Sequence, residues 1–310
     1  MELHQLQILR ELGALGSVTA VAEALRVTPS AVSQQLAALQ RGIETPLTRR
    51  AGRTLVLTPA GEVLAAAGAE AIDAMAAART ALDDFEGAAT GVVSISGFHS
   101  VGQVLFGALL RELQTLEHAP TVQLTDEDVA QSEFPALTAR YDLVLAHRME
   151  HSPSWPTQGV RSLTLVREPL DVAVASTHPL ASRRSLTPDD VADEPWVTSR
   201  IGYSPDDVLR AITAVANRPV EVRHRINDYG AVSAVVAAGG VIGMLPRFTS
   251  RSIQDRDIVR LPLDGVSTHR MIDVLARPEN LRRRSVRVVV DALQRVMTRL
   301  SEWVSCPCGR

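Results

Sequence analysis

The chain has 310 residues, enough for two or three domains, and its apolar fraction of 45% is that of a globular protein with real cores. A net charge of −3 gives no overall attraction to nucleic acid, and aromatics at 4% leave Val, Leu, Ile and Ala to build the cores. No apolar run approaches the roughly 18 residues of a membrane helix, and the start MELHQLQILRELG lacks the basic stretch and apolar core of a secretion signal, so a cytoplasmic protein without membrane contact is expected.

Charge is uneven along the chain. Residues 1–60 carry six Arg against four acids, whereas residues 61–90 carry one Arg against six acids. Leu3, Leu6, Leu9 and Leu12 recur at helical spacing and predict a first helix. Ser17, after Gly16, can cap a second helix over 19–25, whose small residues Ala20, Ala22 and Ala24 permit close packing. Thr28 can cap a third helix with Pro29 at its first position, where the missing N–H costs nothing. Two helices joined by so short a turn make a helix-turn-helix.

The third helix, within VTPSAVSQQLAAL, presents Thr28, Pro29, Ser30, Ser33, Gln34 and Ala37 and no acid. A solvated helix face is usually rich in Glu and Lys. Short hydroxyls, an amide and methyls instead suit a helix that enters the major groove, where Ser bonds phosphates or base edges and Gln bridges adenine N6 and N7. The next stretch, TRRAGRTLVLT, holds two short β-like pieces around a turn with Arg49, Arg50 and Arg53. It reads as a wing whose arginines clamp phosphates or reach the minor groove.

The runs AEALRVTPSAVSQQLAALQ and PLTRRAGRTLVLTPAGE resemble the winged helix-turn-helix of LysR-type transcriptional regulators. The resemblance extends over essentially the whole chain. Two departures are visible: Leu47-Thr48 stands where the family commonly has Leu-Phe, and Gln34 stands where it often has Arg. The resemblance implies a multidomain protein. An all-α-rich winged helix-turn-helix and a long linker helix come first, and an α/β, two-lobed, periplasmic-binding-protein-like domain follows. The expected organisation is a DNA-binding domain at 1–60, a linker and dimerisation helix at 61–90, and an effector-binding domain at 91–310.

Thr58 caps the linker helix, which runs to about residue 86. Leu64, Gly68, Ala71, Met75, Ala78, Leu82 and Phe85 alternate steps of four and three, the period of a coiled-coil seam. A helix packed only on its own domain is the other reading. The family resemblance implies that this helix pairs two chains, giving a homodimer, or a tetramer of such pairs, on promoter DNA with two-fold symmetry. It also implies DNA bending that alters access for RNA polymerase.

From residue 91 strands alternate with helices, the pattern of a parallel doubly wound sheet. Strands are expected at 91–97, 121–127, 141–148, 168–176, 195–199, 220–228, 240–246 and 268–276, and helices at about 100–116, 131–140, 229–239 and 280–303. One lobe would comprise about 91–167 and 268–303, the other about 168–267, with crossings near 166–169 and 264–268. Ligands in such sheets bind beyond the carboxyl ends of strands, at helix N-termini. This nominates Phe98, His99, Ser100, Thr125, Asp126, His147, Arg148, Ser199, Arg200, Tyr203, Asp228 and Tyr229. The resemblance implies a small effector, often an anion. Ser100, Arg148 and Arg200 suit a carboxylate and Asp126 or Asp128 an amine, so a small carboxylate or an amino acid is expected.

Enzymatic readings fare poorly. GFHSVG places Phe98 where a nucleophile elbow needs Gly, so no catalytic residue is assigned. Gly239, Gly240 and Gly243 have the wrong spacing for a dinucleotide loop, no P-loop occurs, and the eight His are scattered, so neither cofactor nor metal is expected. Cys306 and Cys308 form a lone Cys-x-Cys pair in the C-terminal tail. A DNA-binding factor without a ligand is the remaining rival.

Overall fold

A computed structural model describes residues 1–52, 54–86, 91–157, 159–250 and 256–305, without the side chains of 83–86 and 303–305. Arg53, Cys306, Cys308 and the side chain of Phe85 therefore lie outside the described residues.

Three helices open the chain: α1 (Leu3–Leu15), α2 (Val18–Leu25) and α3 (Pro29–Arg41). Gly16 takes the left-handed conformation that ends α1, and Ser17 Oγ accepts the Ala20 amide to start α2. Arg26 closes α2 at φ 54°, an unusual position for a residue with a Cβ. Thr28 Oγ1 then accepts the Ala31 amide and Pro29 opens α3. Leu9, Leu12, Val21, Val32, Leu36, Leu39 and Leu47 meet in one small core. Val27, by contrast, is solvent-exposed, because it precedes α3 and lies off its apolar side. The hairpin β1 (Thr48–Ala51) and β2 (Thr54–Leu57) follows. Thr58 locks it to the next helix: its hydroxyl donates to the Pro46 carbonyl and accepts the Gly61 amide.

That helix, α4 (Pro59–Glu86), leaves the first domain along α1. Gly68 permits the approach, since a Cβ there would lie 3.0 Å from Leu6 Cβ. Leu64, expected on the dimer seam, packs on its own domain's core, because the first turns of α4 are already covered by α1 and the hairpin. Farther along, Ala71, Met75, Ala78 and Leu82 are exposed.

The remaining strands are β3 (Val92–Gly97), β4 (Thr121–Asp126), β5 (Leu143–Met149), β6 (Arg161–Ala175), β7 (Pro195–Thr198), β8 (Glu221–Arg225), β9 (Ile242–Pro246), β10 (Ile258–Leu261) and β11 (His269–Ala276). The helices among and after them are α5 (His99–Leu113), α6 (Phe134–Leu137), α7 (Pro188–Val191), α8 (Ser204–Ala216), α9 (Tyr229–Ala237), α10 (Pro278–Arg282) and α11 (Arg284–Ser305). The strand order is β4-β3-β5-β11-β6-β9-β7-β8, with β10 also on β6. Within it β3 runs parallel to β4 and β5, and β7 parallel to β8 and β9. The expected all-parallel sheet is thus mixed: β6 and β11 are antiparallel to each other and to their neighbours, because each carries the chain between lobes.

The switch between lobes is sharp. Pro169 of β6 pairs with His269 of β11, and Leu170, one residue on, pairs with Pro246 of β9. The first lobe buries Val93, Ile95, Leu105, Leu143, Leu145 and Ile272 under α5 and α11. The second buries Val172, Trp196, Val208, Ile212, Ile242 and Met244.

Other expectations need correction. The helix over 131–140 is a 3-10 turn, Gln131–Glu133, followed by the single-turn α6. The last helix is broken at Arg283, which adopts an extended ψ of 128° while its guanidinium bonds Asp142 Oδ1 and the Val92 carbonyl, each at 2.6 Å. The strand expected at 168–176 starts at Arg161. Helix α8 and strand β10 had no counterpart in the sequence reading.

Candidate functional site

Two regions bring the nominated residues together. The first is the outer side of α3 with the adjoining hairpin. Thr28, Pro29, Ser30, Ser33 and Gln34 are all exposed there, as are Arg49 and Arg50. No acidic side chain belongs to α3. Ser17 serves locally as the cap of α2, half-buried, at the other end of the helix-turn-helix. The Ser33 hydroxyl donates to the Pro29 carbonyl at 3.0 Å, which parks it on its own helix until another acceptor arrives.

The second region lies between the lobes. Phe98, His99 and Ser100 stand at the start of α5, which no side chain caps. Tyr203 and Ser204 stand at the start of α8, where no side-chain cap hydrogen bond is made, and Ser199 follows β7 in the loop before it. These residues, with Asp128, His147, Asn227, Tyr229 and Arg270, surround one cavity of about 20 Å3. That is room for little more than one water, so the cleft is closed down.

Contacts across the cleft hold it shut. Asp128 of the first lobe receives Asn227 Nδ2 at 3.0 Å, and its carbonyl accepts the Tyr203 hydroxyl at 3.0 Å. Arg200, more than half exposed at the rim, reaches Asp128 at 3.5 Å. His99 bridges the two lobes, with Nδ1 3.0 Å from Asp126 and Nε2 2.8 Å from Asp228. The hydrogen bond that His99 donates to Asp126, helped by both carboxylates' charge, raises the His99 pKa above its ordinary value. Asp228 also caps α9 through the Ala231 amide.

The floor is different in kind. His147 is buried and its Nδ1 lies 3.0 Å from the Ser204 hydroxyl. Burial, with Arg270 nearby, holds its pKa well below 6.5, so the ring is neutral at pH 7. Phe98 meets it edge-on at 4.7 Å. Arg270 is 1% exposed and is neutralised by Glu168, itself fully buried, at 2.9 Å. Thr249 Oγ1 accepts from Arg270 at 2.6 Å and Ser100 Oγ at 3.4 Å, too long to saturate that serine. The Ser199 hydroxyl is buried with no hydrogen-bond partner among the described residues.

Two nominated residues are elsewhere. Arg148 follows His147 in β5 and so faces the opposite side of the sheet, where it pairs with Asp273 at 3.2 Å. Thr125 turns to the Tyr141 hydroxyl and lines no part of the cavity. Conversely, the sequence reading missed Arg270, Glu168, Ser204, Asn227 and Thr249. Among the described residues no group of three or more His, Cys, Asp or Glu side chains is placed to hold a metal ion, and no helix is long and apolar enough to cross a membrane.

The chain matches two family models in tandem. Residues 3–62 match the bacterial regulatory helix-turn-helix protein, lysR family, and residues 86–298 match the LysR substrate binding domain. It is 25% identical over 277 residues to the uncharacterized HTH-type transcriptional regulator YybE of Bacillus subtilis (strain 168), covering 88% of this chain and 91% of that protein. It is 21% identical over 273 residues to the HTH-type transcriptional regulator CysL of the same strain, covering 86% and 89%. Its fold is similar to that of full-length OxyR from Pseudomonas aeruginosa, with TM-score 0.66 and 17% identity over 95% of each chain. It is also similar to that of full-length CbnR in a structure with its target DNA, with TM-score 0.53 and 20% identity over 96% of this chain and 100% of that one. A winged helix-turn-helix ahead of a two-lobed α/β effector domain, matched by both models, places this chain in the LysR family of transcriptional regulators, which are not enzymes.

Proposed function

We propose that this regulator reads specific promoter DNA through α3 and the β1–β2 hairpin, under the control of a small carboxylate or amino acid held in the interlobe cleft. The observation that carries the effector reading is the Ser199 hydroxyl, buried without a partner among the described residues in a closed cleft lined also by the undersaturated Ser100. Ser100 stands in the first turn of α5 and Ser204 in that of α8, beside helix-start amides, which favour an anion. Arg270 adds a guanidinium from the floor, and Asp128 offers an acceptor for an amine.

The cleft as it stands admits no such molecule. Effector entry therefore requires the cross-lobe contacts of Asp128 and His99 to open, and ligand binding shifts the population between lobe arrangements. The DNA-reading assignment rests on the exposed, acid-free face of α3 beside Arg49 and Arg50. The solved complex of CbnR with DNA, a similar fold, is consistent with it. The protein would act as a homodimer, and as a tetramer of two such dimers on DNA, with the exposed residues Ala71, Met75, Ala78 and Leu82 of α4 forming the dimer contact. Altered spacing of the DNA-binding pairs would bend the promoter and change its access to RNA polymerase.

The test couples two assays on purified protein. Thermal shift with each amino acid and small carboxylate should reveal one stabilising class, and Ser100→Trp should abolish that response while promoter binding persists. A response to no compound in either class would remove the effector assignment. Genomic fragments retained at about 0.15 M salt, a strength that screens much non-specific binding, should share a two-fold symmetric site; retention of random DNA would remove the sequence-specific reading.

A further inference from the structure

A second cavity, of about 610 Å3, lies at the junction of the DNA-binding domain and the first lobe. Its size is that of small-molecule sites in general, roughly 300–1,000 Å3. One wall is Leu12, Leu57, Ala65 and Ala69, from α1, the hairpin and α4. The facing wall is Pro135, Ala136, Pro156 and Val160, from α6 and the segment before β6. The surface is mainly apolar, but its charged members are unbalanced: Arg10, Arg49 and Arg277 against Glu62.

Arg277 is the distinctive member. It is 5% exposed, crosses the junction to bond Glu11 Oε2 through Nη2 at 2.6 Å, and leaves its Nε–H without a partner among the described residues. Its Nη1 would lie 3.2 Å from a Cβ on Gly159, so a side chain there would crowd the guanidinium. Glu11 and Glu279, which neutralise Arg277 and Arg10, do not line the cavity. The walls therefore show an occupant the positive side of this ion cluster and a largely apolar remainder.

We infer that the junction cavity is a second ligand site, taking a monoanion with an apolar body, such as a medium-chain carboxylate, with Arg277 as its charged anchor. Its walls come from two domains. An occupant therefore favours the docked arrangement of the DNA-binding domain on the first lobe, and DNA affinity responds to it independently of the interlobe cleft.

Octanoate tests this, with octanol as the uncharged control of equal chain length. Calorimetric titration of the full chain should show one saturable octanoate site per protomer and octanol weaker by about tenfold or more. Ala69→Phe fills the cavity from α4 and Ala136→Phe fills it from the first lobe, and each should weaken octanoate by about tenfold or more. Ala67→Phe, an exposed position of α4 outside the cavity, should leave the affinity unchanged. Arg277→Gln should abolish the preference for octanoate over octanol; if that variant does not fold, the phenylalanine pair still decides the location. Absence of saturable binding, equal affinity for octanol, or full affinity in either cavity-filling variant would overturn the proposal.

Discussion

Arg270→Met probes the charge pair beneath the cleft. Arg270 and Glu168 are 1% and 0% exposed, so neither charge has solvent to fall back on. Glu168 Oε1 accepts the Phe248 and Thr249 amides, both at 2.6 Å, and Oε2 accepts Arg270 Nε at 2.9 Å and the Thr249 hydroxyl at 3.0 Å. Removing the arginine leaves a buried carboxylate with hydrogen bonds but without its counter-charge. Breaking one side of a buried pair costs about 3–5 kcal/mol, and the surviving donors put this case near the lower limit, at about 3 kcal/mol. Glu168→Gln alone strands the guanidinium and should cost a similar amount. Glu168→Gln with Arg270→Met removes both charges yet keeps an acceptor for the two amides, so it should recover about 2 kcal/mol of the summed loss. Urea unfolding followed by tryptophan fluorescence measures all four proteins, because Trp196 is fully buried in the second lobe. An Arg270→Met cost below about 1 kcal/mol, or a double variant as unstable as the sum of the singles, would refute the matched-pair account.

Gly61→Ala would place a Cβ 2.1 Å from the Leu47 carbonyl oxygen, a backbone atom with little freedom to yield. A loss of about 2–3 kcal/mol from the DNA-binding domain is expected, read as a lower Tm and weaker DNA binding; a wild-type Tm would show that the hairpin yields. The raised pKa of His99 means that its bridge stabilises closure fully below the ordinary value of 6.5 and is lost as pH rises through the raised value. His147 and His269 are shifted downward and lose their contribution as pH falls below 6.5, so a thermal scan above pH 6.5 isolates His99, and an unchanged slope in His99→Gln would sink the latch. Leu82→Glu puts a charge on a residue 64% exposed in a single chain, and sedimentation should report monomer; an intact dimer would move the interface off α4. Ser33→Ala should weaken a specific promoter site by about 1 kcal/mol at unchanged salt slope, whereas Arg50→Ala should lower the slope by about one phosphate contact; identical behaviour of both variants would undo the base-versus-phosphate division.

The DNA-binding half was legible because its determinants are local. Caps, a proline at the first helical position and leucine spacing act within a few residues, and Ser17, Thr28 and Pro29 behave as their chemistry dictates. The direction of β11 was not legible, because it follows from where the chain returns and not from its own residues. The first half of β6 was hidden for another reason: Arg161–Thr164 are exposed, and the brief alternation of Leu163 and Leu165 with Ser162 and Thr164 is outweighed by the long apolar run of the buried second half. Leu64 continued the seam's spacing perfectly well. Periodicity marks an apolar side of a helix but does not say whose surface covers it, and α1 had already covered that turn.

The cleft was half legible for a similar reason. Ser100 and Ser199 each follow the end of a strand, a rule that needs only element boundaries. Arg148 fails on the two-residue period of a strand: once His147 points to the cleft, its neighbour cannot. Arg270 was invisible because it is separated from Ser100 by 170 residues and reaches the cleft only after the chain has built the second lobe. Yet a signal existed. Glu168 stands in one segment expected to cross between lobes and Arg270 two residues beyond the other, and the register pairs these opposite charges directly across β6 and β11. They also sit one or two residues from the point where β6 changes partner. On the proposed effector reading, a ligand bonding Arg270 would pull on the strands that join the lobes, and one guanidinium contact would thereby act on the lobe arrangement.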